Sequence, residues 1–391
     1  MVVAFWICLS LIVYTFVGYG LILFILVKIK RLFTKAVDFI TNIDLLPTVT
    51  LVIAAYNEED LISEKITNSL QLNYPKDRIK ILFVTDGSND KTPEKVRACP
   101  GIILLHQDLR AGKMAAIKRA IPFVASEIIV FTDANTFLNE DAILELVKHY
   151  QNPKVGAVAG EKRILVGDKA DASSAGEGFY WKYESLLKKL DYELYSNVGA
   201  AGELFSIRTA LYQPVESDTI IDDHMIAMRI AENGYVIAYE ANAYAMETAS
   251  ANTKEELKRK IRIAAGGIQS ILRLKRAANP FYYPILTFQY ISHRVLRWTI
   301  IPILLIVAFV LNALIVLEGA SGVYGVLFTG QVLFYLLSLA GLFFESRNIR
   351  IKAFFIPYYF CIMNYAVVAG IIKYFRNNQS AAWEKSKRKA L

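Results

Sequence analysis

Residues 127–135, EIIVFTDAN, join a short run of β-branched and aromatic residues to an acidic tip at Asp133. The same pattern occurs at residues 79–90, IKILFVTDGSND, where a similar run ends at Asp86. Residues 48–58, TVTLVIAAYNE, end in a third polar tip. The carboxyl ends of parallel strands share one edge of an open α/β sheet, and ligands bind there. These stretches therefore predict an α/β fold with a nucleotide or metal site at that edge.

Residues 46–253 continue this alternation of short β-rich runs and amphipathic helices. The order is typical of an α/β domain with a mostly parallel sheet. Further strands are expected at residues 102–107, 155–160, 203–208 and 235–241, and helices at 58–72, 113–124 and 141–150.

Strongly apolar segments flank this domain and account for the 54% hydrophobic content of the 391-residue chain. Residues 2–27 contain no charge and are long enough to cross a bilayer of roughly 30 Å. They lack a small-residue cleavage site and run into a basic linker at 29–45. We therefore expect residues 1–28 to be an uncleaved transmembrane anchor, and the domain that follows to be cytoplasmic.

The C-terminal region, residues 299–373, holds about three further apolar segments. These lie at roughly 299–317, 322–344 and 353–372. With one N-terminal span they would place the basic tail, residues 374–391, outside the cell, against the positive-inside tendency. The number and orientation of these spans therefore stay open, and the last segment is the weakest candidate.

The net charge of +8 is concentrated beside the apolar segments, which favours anionic lipid headgroups over nucleic acid as the partner. Residues 254–276 are typical of a basic amphipathic helix on a membrane surface, and they open an interfacial region that extends to residue 298. Within it, we expect His293, Arg294 and Arg297 to contact headgroups.

Five short motifs resemble, in order, those of family-2 glycosyltransferases, which are inverting enzymes of the GT-A fold. They are Ala54 to Glu58, Asp86 to Ser88, Gly112-Lys113, Asp133 to Asn135, and Asp222 to His224. The resemblance covers roughly residues 46–300 and extends to membrane-embedded bacterial synthases of cellulose, hyaluronan and poly-N-acetylglucosamine.

This resemblance implies an enzyme that moves a sugar from a UDP-sugar to a polysaccharide or lipid-linked acceptor. The expected setting is exopolysaccharide or cell-envelope glycan synthesis at the bacterial inner membrane. It leaves open whether partner subunits of a synthesis and export complex take part.

The resemblance also implies a nucleotide-sugar site. Its residues would be Ala54, Tyr56, Asn57, Glu58, Asp86, Lys113, Asp133 and Arg262. Tyr56, Asn57 and Glu58 would contact the uracil and ribose, as would Asp86. Lys113, beside a helix N-terminus, would meet the pyrophosphate. Judged without the resemblance, Asn57 could instead cap the next helix, Asp86 could belong to a plain turn, and Lys113 could be a solvated surface lysine.

Asp133 and Asn135 occupy the place of the family's Asp-X-Asp motif, which holds a divalent cation that bridges the donor diphosphate. Mg2+ and Mn2+ prefer hard oxygen ligands, and a carboxylate suits them. The second candidate ligand here is an amide, which contributes no charge. We expect Mg2+ or Mn2+ on Asp133, with Asn135 as the other candidate ligand.

Asp223 is the predicted catalytic base, because inversion at the anomeric carbon needs a base that deprotonates the acceptor hydroxyl. By resemblance it matches the Asp of a Thr-Glu-Asp motif, with Asp222 in place of the Glu. From the residues alone, Asp223 could instead be the N-cap of a helix. Glu203 and His224 are candidate acceptor contacts.

One motif departs from that of the processive synthases. Where those enzymes carry Gln-X-X-Arg-Trp, whose Trp stacks on the acceptor sugar, this chain has RKIRI at residues 259–263. Arg262 is kept and would pair with the leaving diphosphate. Ile263 offers no aromatic platform, and Gln269 and Trp298 lie on later segments. Processive synthesis, single transfer and a non-catalytic polysaccharide-binding or assembly subunit that keeps the fold all stay open.

Overall fold

The computed structural model describes residues 1–34, 46–165, 172–248, 253–347, 349 and 351–376. Most of the predicted basic linker and basic tail lies outside these residues. Within them, the strands are β1 (Val49–Ala55), β2 (Ile79–Asp86), β3 (Ile102–Gln107), β4 (Ile128–Asp133), β5 (Phe137–Leu138), β6 (Val155–Leu165), β7 (Phe205–Arg208) and β8 (Val236–Thr248).

These strands form one sheet in the order β3-β2-β1-β4-β7-β6-β8-β5. The first four are parallel neighbours, and β6 pairs in parallel with β8. β7 runs antiparallel to both β4 and β6, and β5 runs antiparallel to β8. The predicted α/β class with a mostly parallel sheet is confirmed. The reversed β7 matters for the site, because it brings the residues before Phe205 to the edge where β4 ends.

The helices, in chain order, are α1 (Val2–Val13), α2 (Tyr19–Phe33), α3 (Ile62–Leu70), α4 (Thr92–Arg97), α5 (Lys113–Ala120), α6 (Ala142–Val147), α7 (Ala172–Leu194), α8 (Asp222–Glu232), α9 (Thr253–Arg273), α10 (Pro284–Tyr290), α11 (Leu296–Trp298), α12 (Ile301–Leu317), α13 (Val323–Ser346) and α14 (Lys352–Phe375).

Helices cover both faces of the sheet. Successive residues of each strand point to opposite faces, so the apolar side chains of one strand pack against helices on both sides. On β1, Leu51 and Ile53 join the core beneath α3 and α6. Val52, between them, joins the core that contains Met114 of α5 and Met225 of α8. The central strands are thus buried on both faces, as expected for strands with near-continuous apolar runs.

Among the described residues, three helical segments are long and apolar enough to cross a bilayer: Val2–Phe33, Val323–Ser346 and Lys352–Phe375. The first joins α1 and α2 through a short π-helix and ends beyond the expected boundary at residue 28. The last of these, Lys352–Phe375, contains the segment that was expected to be the weakest candidate span, and it is long and apolar enough to cross a bilayer. α12 meets this criterion only together with Pro284–Trp298, from which it is bent by 61°.

The prediction that His293, Arg294 and Arg297 contact headgroups is wrong. His293 is fully buried, with Nδ1 2.6 Å from Asp191 Oδ2 and Nε2 3.1 Å from Glu184 Oε1. Both arginines pair with the same Glu184 carboxylate, at 2.9 and 3.2 Å. Because burying charge is costly unless it is paired, these residues form an internal cluster with the two carboxylates of α7.

Candidate active site

Four predicted site residues meet where β4 ends and α8 begins. Lys113 Nζ lies 2.9 Å from Asp133 Oδ1 and 3.5 Å from Asp222 Oδ2. A Cβ built on Gly202 would lie 3.3 Å from Lys113 Nζ, 3.5 Å from Asp223 Oδ2 and 3.8 Å from Asp133 Oδ2. The missing side chain of Gly202 therefore leaves the space that these groups share. The alternative that Lys113 is a solvated surface residue is wrong.

The charges of this cluster interact strongly because they are buried. Burial raises the pKa of Asp223 to about 7, and the neighbouring Asp222 adds to the shift while Lys113 opposes it. Burial also raises the pKa of Asp133, against the effect of Lys113. Burial by itself would lower the pKa of Lys113, but Asp133 and the two carboxylates of α8 raise it. Lys113 is therefore a cation, and Asp223 can take up a proton near neutral pH.

Asp222 and Asp223 are the first two residues of α8, and Ile221 occupies the N-cap position. The alternative that Asp223 is the N-cap is therefore wrong. Carboxylates in the first turn of a helix are stabilised by the positive end of its dipole. The start of α8 thus presents two acidic groups toward Lys113.

A small, partly open cavity lies beside this cluster, at the ends of β1 and β2. Its lining comprises Ala54, Ala55, Tyr56, Asp86, Arg110, Gly112, Lys113 and Ala116. The Arg110 guanidinium lies 3.7 Å from the centre of the Tyr56 ring, in a cation–π contact. The sequence prediction missed Arg110, although its position just before Gly112-Lys113 was a signal.

Asp86 organises one wall of this cavity. Its Oδ2 accepts hydrogen bonds from the backbone N–H groups of Ala111 and Gly112, at 2.9 and 2.6 Å. Arg119 lies 3.4 Å from its Oδ1. These bonds hold the loop that places Lys113 at the start of α5. Asp86 is thus more than part of a plain turn.

Asn57 and Glu58 tie the end of β1 to the loop after β2. Asn57 has a positive φ of 53°, and its side-chain amide exchanges two hydrogen bonds with Asn89, at 2.8 and 3.0 Å. The N–H of the buried Glu58 donates to Thr92 at 2.9 Å. α3 begins only at Ile62, with Leu61 as its N-cap, so the alternative that Asn57 caps this helix is wrong.

Asp133 and Asn135 offer oxygen atoms of the kind that a hard divalent cation prefers. Asn135 is buried, and its Oδ1 has no hydrogen-bond partner among the described residues. A buried amide oxygen without a partner is costly, and a metal ion would satisfy it. The part of the chain that the structure describes contains no group of three or more His, Cys, Asp or Glu side chains placed to hold a metal. Any cation here would need further ligands, such as phosphate oxygens and water.

A buried lysine that the sequence prediction missed lies behind this turn. Lys65 of α3 is completely buried, and its Nζ donates to Thr132 Oγ1 at 3.2 Å and to the Thr136 carbonyl at 2.6 Å. Burial lowers the pKa of Lys65 to about 7, against the effect of Asp133. Lys65 therefore supports both ends of the segment that carries Asp133 and Asn135.

The remaining predicted residues lie around the cluster. Glu203 Oε1 is 2.6 Å from Lys162 Nζ and 3.7 Å from Arg259. Burial alone would raise the pKa of Glu203, but these two cations lower it, so the carboxylate is ionised. Arg262 donates to the Ile220 carbonyl at 3.3 Å and so contacts the loop before α8.

His224 is a buried side chain among aromatic rings. Its ring centre lies 5.3 Å from that of Trp298 and 6.2 Å from that of Tyr290. Burial lowers the pKa of His224 to about 3, and Arg294 adds to this shift. The imidazole is therefore neutral and packs behind the first turn of α8.

The sheet, with a cavity and a carboxylate cluster at one edge, defines a GT-A type fold. A solved structure of the mannosyltransferase PcManGT from Pyrobaculum calidifontis, in complex with GDP-Man and Mn2+, has this fold. It superposes with a TM-score of 0.71, covering 96% of this chain and 100% of the other, at 23% sequence identity.

Residues 50–210 match the family model described as glycosyl transferase family 2. The chain therefore carries a glycosyltransferase family 2 domain. It is 28% identical to the poly-beta-1,6-N-acetyl-D-glucosamine synthase of Staphylococcus aureus over 265 residues, which cover 64% of this chain and 62% of that protein. It is 30% identical to the beta-monoglucosyldiacylglycerol synthase of Trichormus variabilis over 201 residues, which cover 47% of this chain and 41% of that protein.

Proposed function

We propose that this chain is a membrane-bound, metal-dependent, inverting glycosyltransferase that uses a UDP-sugar and a glycan or lipid-linked acceptor. The observation that carries the proposal is the convergence of Lys113, Asp133 and Asp223 around Gly202. A cation, a candidate metal ligand and a carboxylate of raised pKa are the groups that such a transfer requires. The family 2 domain supports the same class of reaction.

In this proposal the cavity beside Tyr56 receives the nucleoside of the donor. Tyr56 and Arg110 both line this cavity, so an aromatic ring and a cation are both available to a base and its phosphates. Lys113 would contact the diphosphate. Asp133 and Asn135 would hold Mg2+ or Mn2+, which when bound would neutralise charge on the departing diphosphate.

The chemical step is a direct displacement at the anomeric carbon. Asp223 takes the proton of the acceptor hydroxyl, and the acceptor oxygen forms a bond to the anomeric carbon. The bond between that carbon and the diphosphate oxygen breaks, and UDP leaves with the electron pair. An α-linked donor therefore gives a β-linked product. Lys113, held cationic by its acidic neighbours, stabilises the charge on the leaving group.

Two kinds of acceptor are compatible with the named relatives, of which one is a polysaccharide synthase and the other a glycolipid synthase. The candidate membrane-spanning helices on both sides of the domain would hold it at a bilayer, where a lipid or a growing glycan is within reach. We propose a bacterial inner-membrane location with the domain in the cytoplasm.

The test is an assay of membranes containing the protein with a panel of radiolabelled donors. UDP-glucose, UDP-N-acetylglucosamine and, because of the solved mannosyltransferase, GDP-mannose are each supplied with Mn2+, Mg2+ or EDTA. We expect metal-dependent label from a UDP-sugar. An ethanol-insoluble product would mean polymerisation, and an organic-extractable one transfer to lipid. No label above membranes lacking the protein would contradict the proposal and favour a non-catalytic subunit.

A further inference from the structure

We propose that Gln269 is a positioning residue for the catalytic base, because its side-chain amide fixes the loop that leads into α8. This inference rests on the proposed function. Gln269 lies on α9 and is buried. Its Oε1 accepts a hydrogen bond from the Ile220 N–H at 2.9 Å, and its Nε2 donates to the Asp218 carbonyl, also at 2.9 Å.

The loop that Gln269 holds ends at the base. Ile220 lies three positions before Asp223, and Ile221, the N-cap of α8, provides no side-chain hydrogen bond to the helix. The first turn of α8 therefore depends on contacts from outside for its placement. A displacement of a catalytic group by about 1 Å can cost on the order of a hundredfold in rate. Fixing the backbone just before Asp223 is thus relevant to rate.

One face of α9 makes all of these contacts. Arg262, Gly266, Gln269 and Arg273 follow the helical spacing that places residues on a single face. Arg273 lies 2.7 Å from Asp218 Oδ2, and Arg262 donates to the Ile220 carbonyl at 3.3 Å.

The glycine on this face allows a close approach. A Cβ built on Gly266 would lie 2.9 Å from Ile221 Cγ2 and 3.1 Å from Ile220 Cβ. Among the four residues of this face, Gln269 is the one whose buried, uncharged amide bonds to both a backbone N–H and a backbone carbonyl of the loop. It therefore fixes both the position and the direction of the loop.

A matched control exists in the same chain. Gln289 of α10 is also buried, and it too receives a backbone N–H, that of Ser196, and donates to a backbone carbonyl, that of Asp191. These contacts hold the junction between α7 and α10. Gln269→Leu and Gln289→Leu therefore remove equivalent pairs of hydrogen bonds at two different places.

The experiment compares both variants in thermal unfolding, UDP binding and steady-state transfer. We expect both to lose thermal stability. For Gln269→Leu we expect kcat to fall about tenfold or more, with the KM for the donor and the Kd for UDP within about twofold of wild type. For Gln289→Leu we expect kcat within about twofold of wild type. Equal kcat values for the two variants, or a Gln269→Leu loss confined to KM and Kd, would overturn the inference.

Gln269→Glu keeps the accepting oxygen but removes the donating amide, and it serves if Gln269→Leu does not accumulate in membranes. Its second carboxylate oxygen would face the Asp218 carbonyl and Asp218 Oδ2, which lie 2.9 and 3.4 Å from Nε2 of the wild-type Gln269. Its kcat should therefore fall below that of the wild type; an unchanged kcat would overturn the inference. Asp223→Asn separates this inference from the proposed function. If Asp223→Asn keeps its transfer activity, the assignment of the base is refuted. If Asp223→Asn loses activity and Gln269→Leu keeps the wild-type kcat, only the role of Gln269 is refuted.

Discussion

At the residue scale, the candidate site is governed by carboxylates that lie close together and away from solvent. Asp223 shares the first turn of α8 with Asp222, and Lys113 compensates only part of their mutual repulsion. A carboxylate in water would be a weak base at neutral pH, whereas one whose pKa is raised toward 7 matches the task of accepting a proton there. Burial thus gives this aspartate the property that the proposed reaction needs.

The first prediction concerns the pH dependence of transfer. Because only ionised Asp223 can accept a proton, kcat/KM should fall on acidification as pH drops through about 7. Asp222→Asn removes the neighbouring charge that helps raise this pKa, so the acidic limb should move to lower pH. The measurement is kcat/KM between about pH 5 and about pH 9. A rate that stays level down to about pH 5 in the wild type would contradict the prediction.

The second prediction concerns Lys65 and stability. Its pKa is lowered by burial from 10.5 to about 7, so between these values the unfolded chain binds more protons than the folded one. The free energy of unfolding should therefore rise with pH across this window, by up to about 1.4 kcal/mol per pH unit from this group. Lys65→Met should reduce that slope in unfolding measured from about pH 7 to about pH 10. An unchanged slope in the variant would show that Lys65 does not titrate in this window.

At the element scale, the reversed strand β7 assembles the site. Since β7 runs antiparallel to β4, the segment before Phe205 arrives at the edge where β4 ends in Asp133. Gly202 and Glu203 are thereby placed beside residues that precede them by many positions in the chain. α9 also contacts the site, because Gln269 and Arg262 bond to the backbone of Ile220 in the loop before α8.

The third prediction concerns the crossing of α9 and α14. A Cβ built on Gly370 would lie 2.6 Å from Ala264 Cβ and 2.9 Å from both Ala265 N and the Ile261 carbonyl oxygen. Gly370→Ala should therefore push the two helices apart and lower the free energy of unfolding by about 1–3 kcal/mol. A Cβ on Gly330 of α13 would meet no heavy atom within 4 Å outside the backbone of its own helix. Gly330→Ala should therefore raise the free energy of unfolding by about 0.5–1 kcal/mol, because alanine favours the helix over glycine. Equal effects in thermal unfolding of the two variants would contradict this account of the crossing.

The sequence predicted those parts of the fold and site that are local in the chain. The strands with polar tips at Tyr56, Asp86 and Asp133 formed as expected, because each is a continuous pattern of a few residues. Gly202 could not be predicted, because its importance depends on the direction of β7. The sequence gives no sign that Lys65 is buried, because its burial follows only from the packing of α3 against the turn after β4.

At the scale of the whole molecule, a buried cluster of ionisable side chains joins the N-terminal helix to the catalytic domain. The Tyr19 hydroxyl of α2 donates to Asp191 of α7, which also pairs with His293. Arg297 pairs with Glu184 and donates to the Thr15 carbonyl of the N-terminal segment at 3.4 Å. The sequence suggested basic headgroup contacts here because the acidic partners lie about a hundred positions away. This cluster makes the first candidate span and the domain a connected unit.

The measurement that tests the central claim most directly is sugar transfer by Asp223→Asn under conditions in which UDP binding is measured on the same preparation. Asp77→Asn, at an exposed turn, serves as the matched control. We predict that Asp223→Asn binds UDP like the wild type but loses transfer by at least about a hundredfold, while Asp77→Asn keeps both. Full transfer by Asp223→Asn would contradict the claim that this residue is the base.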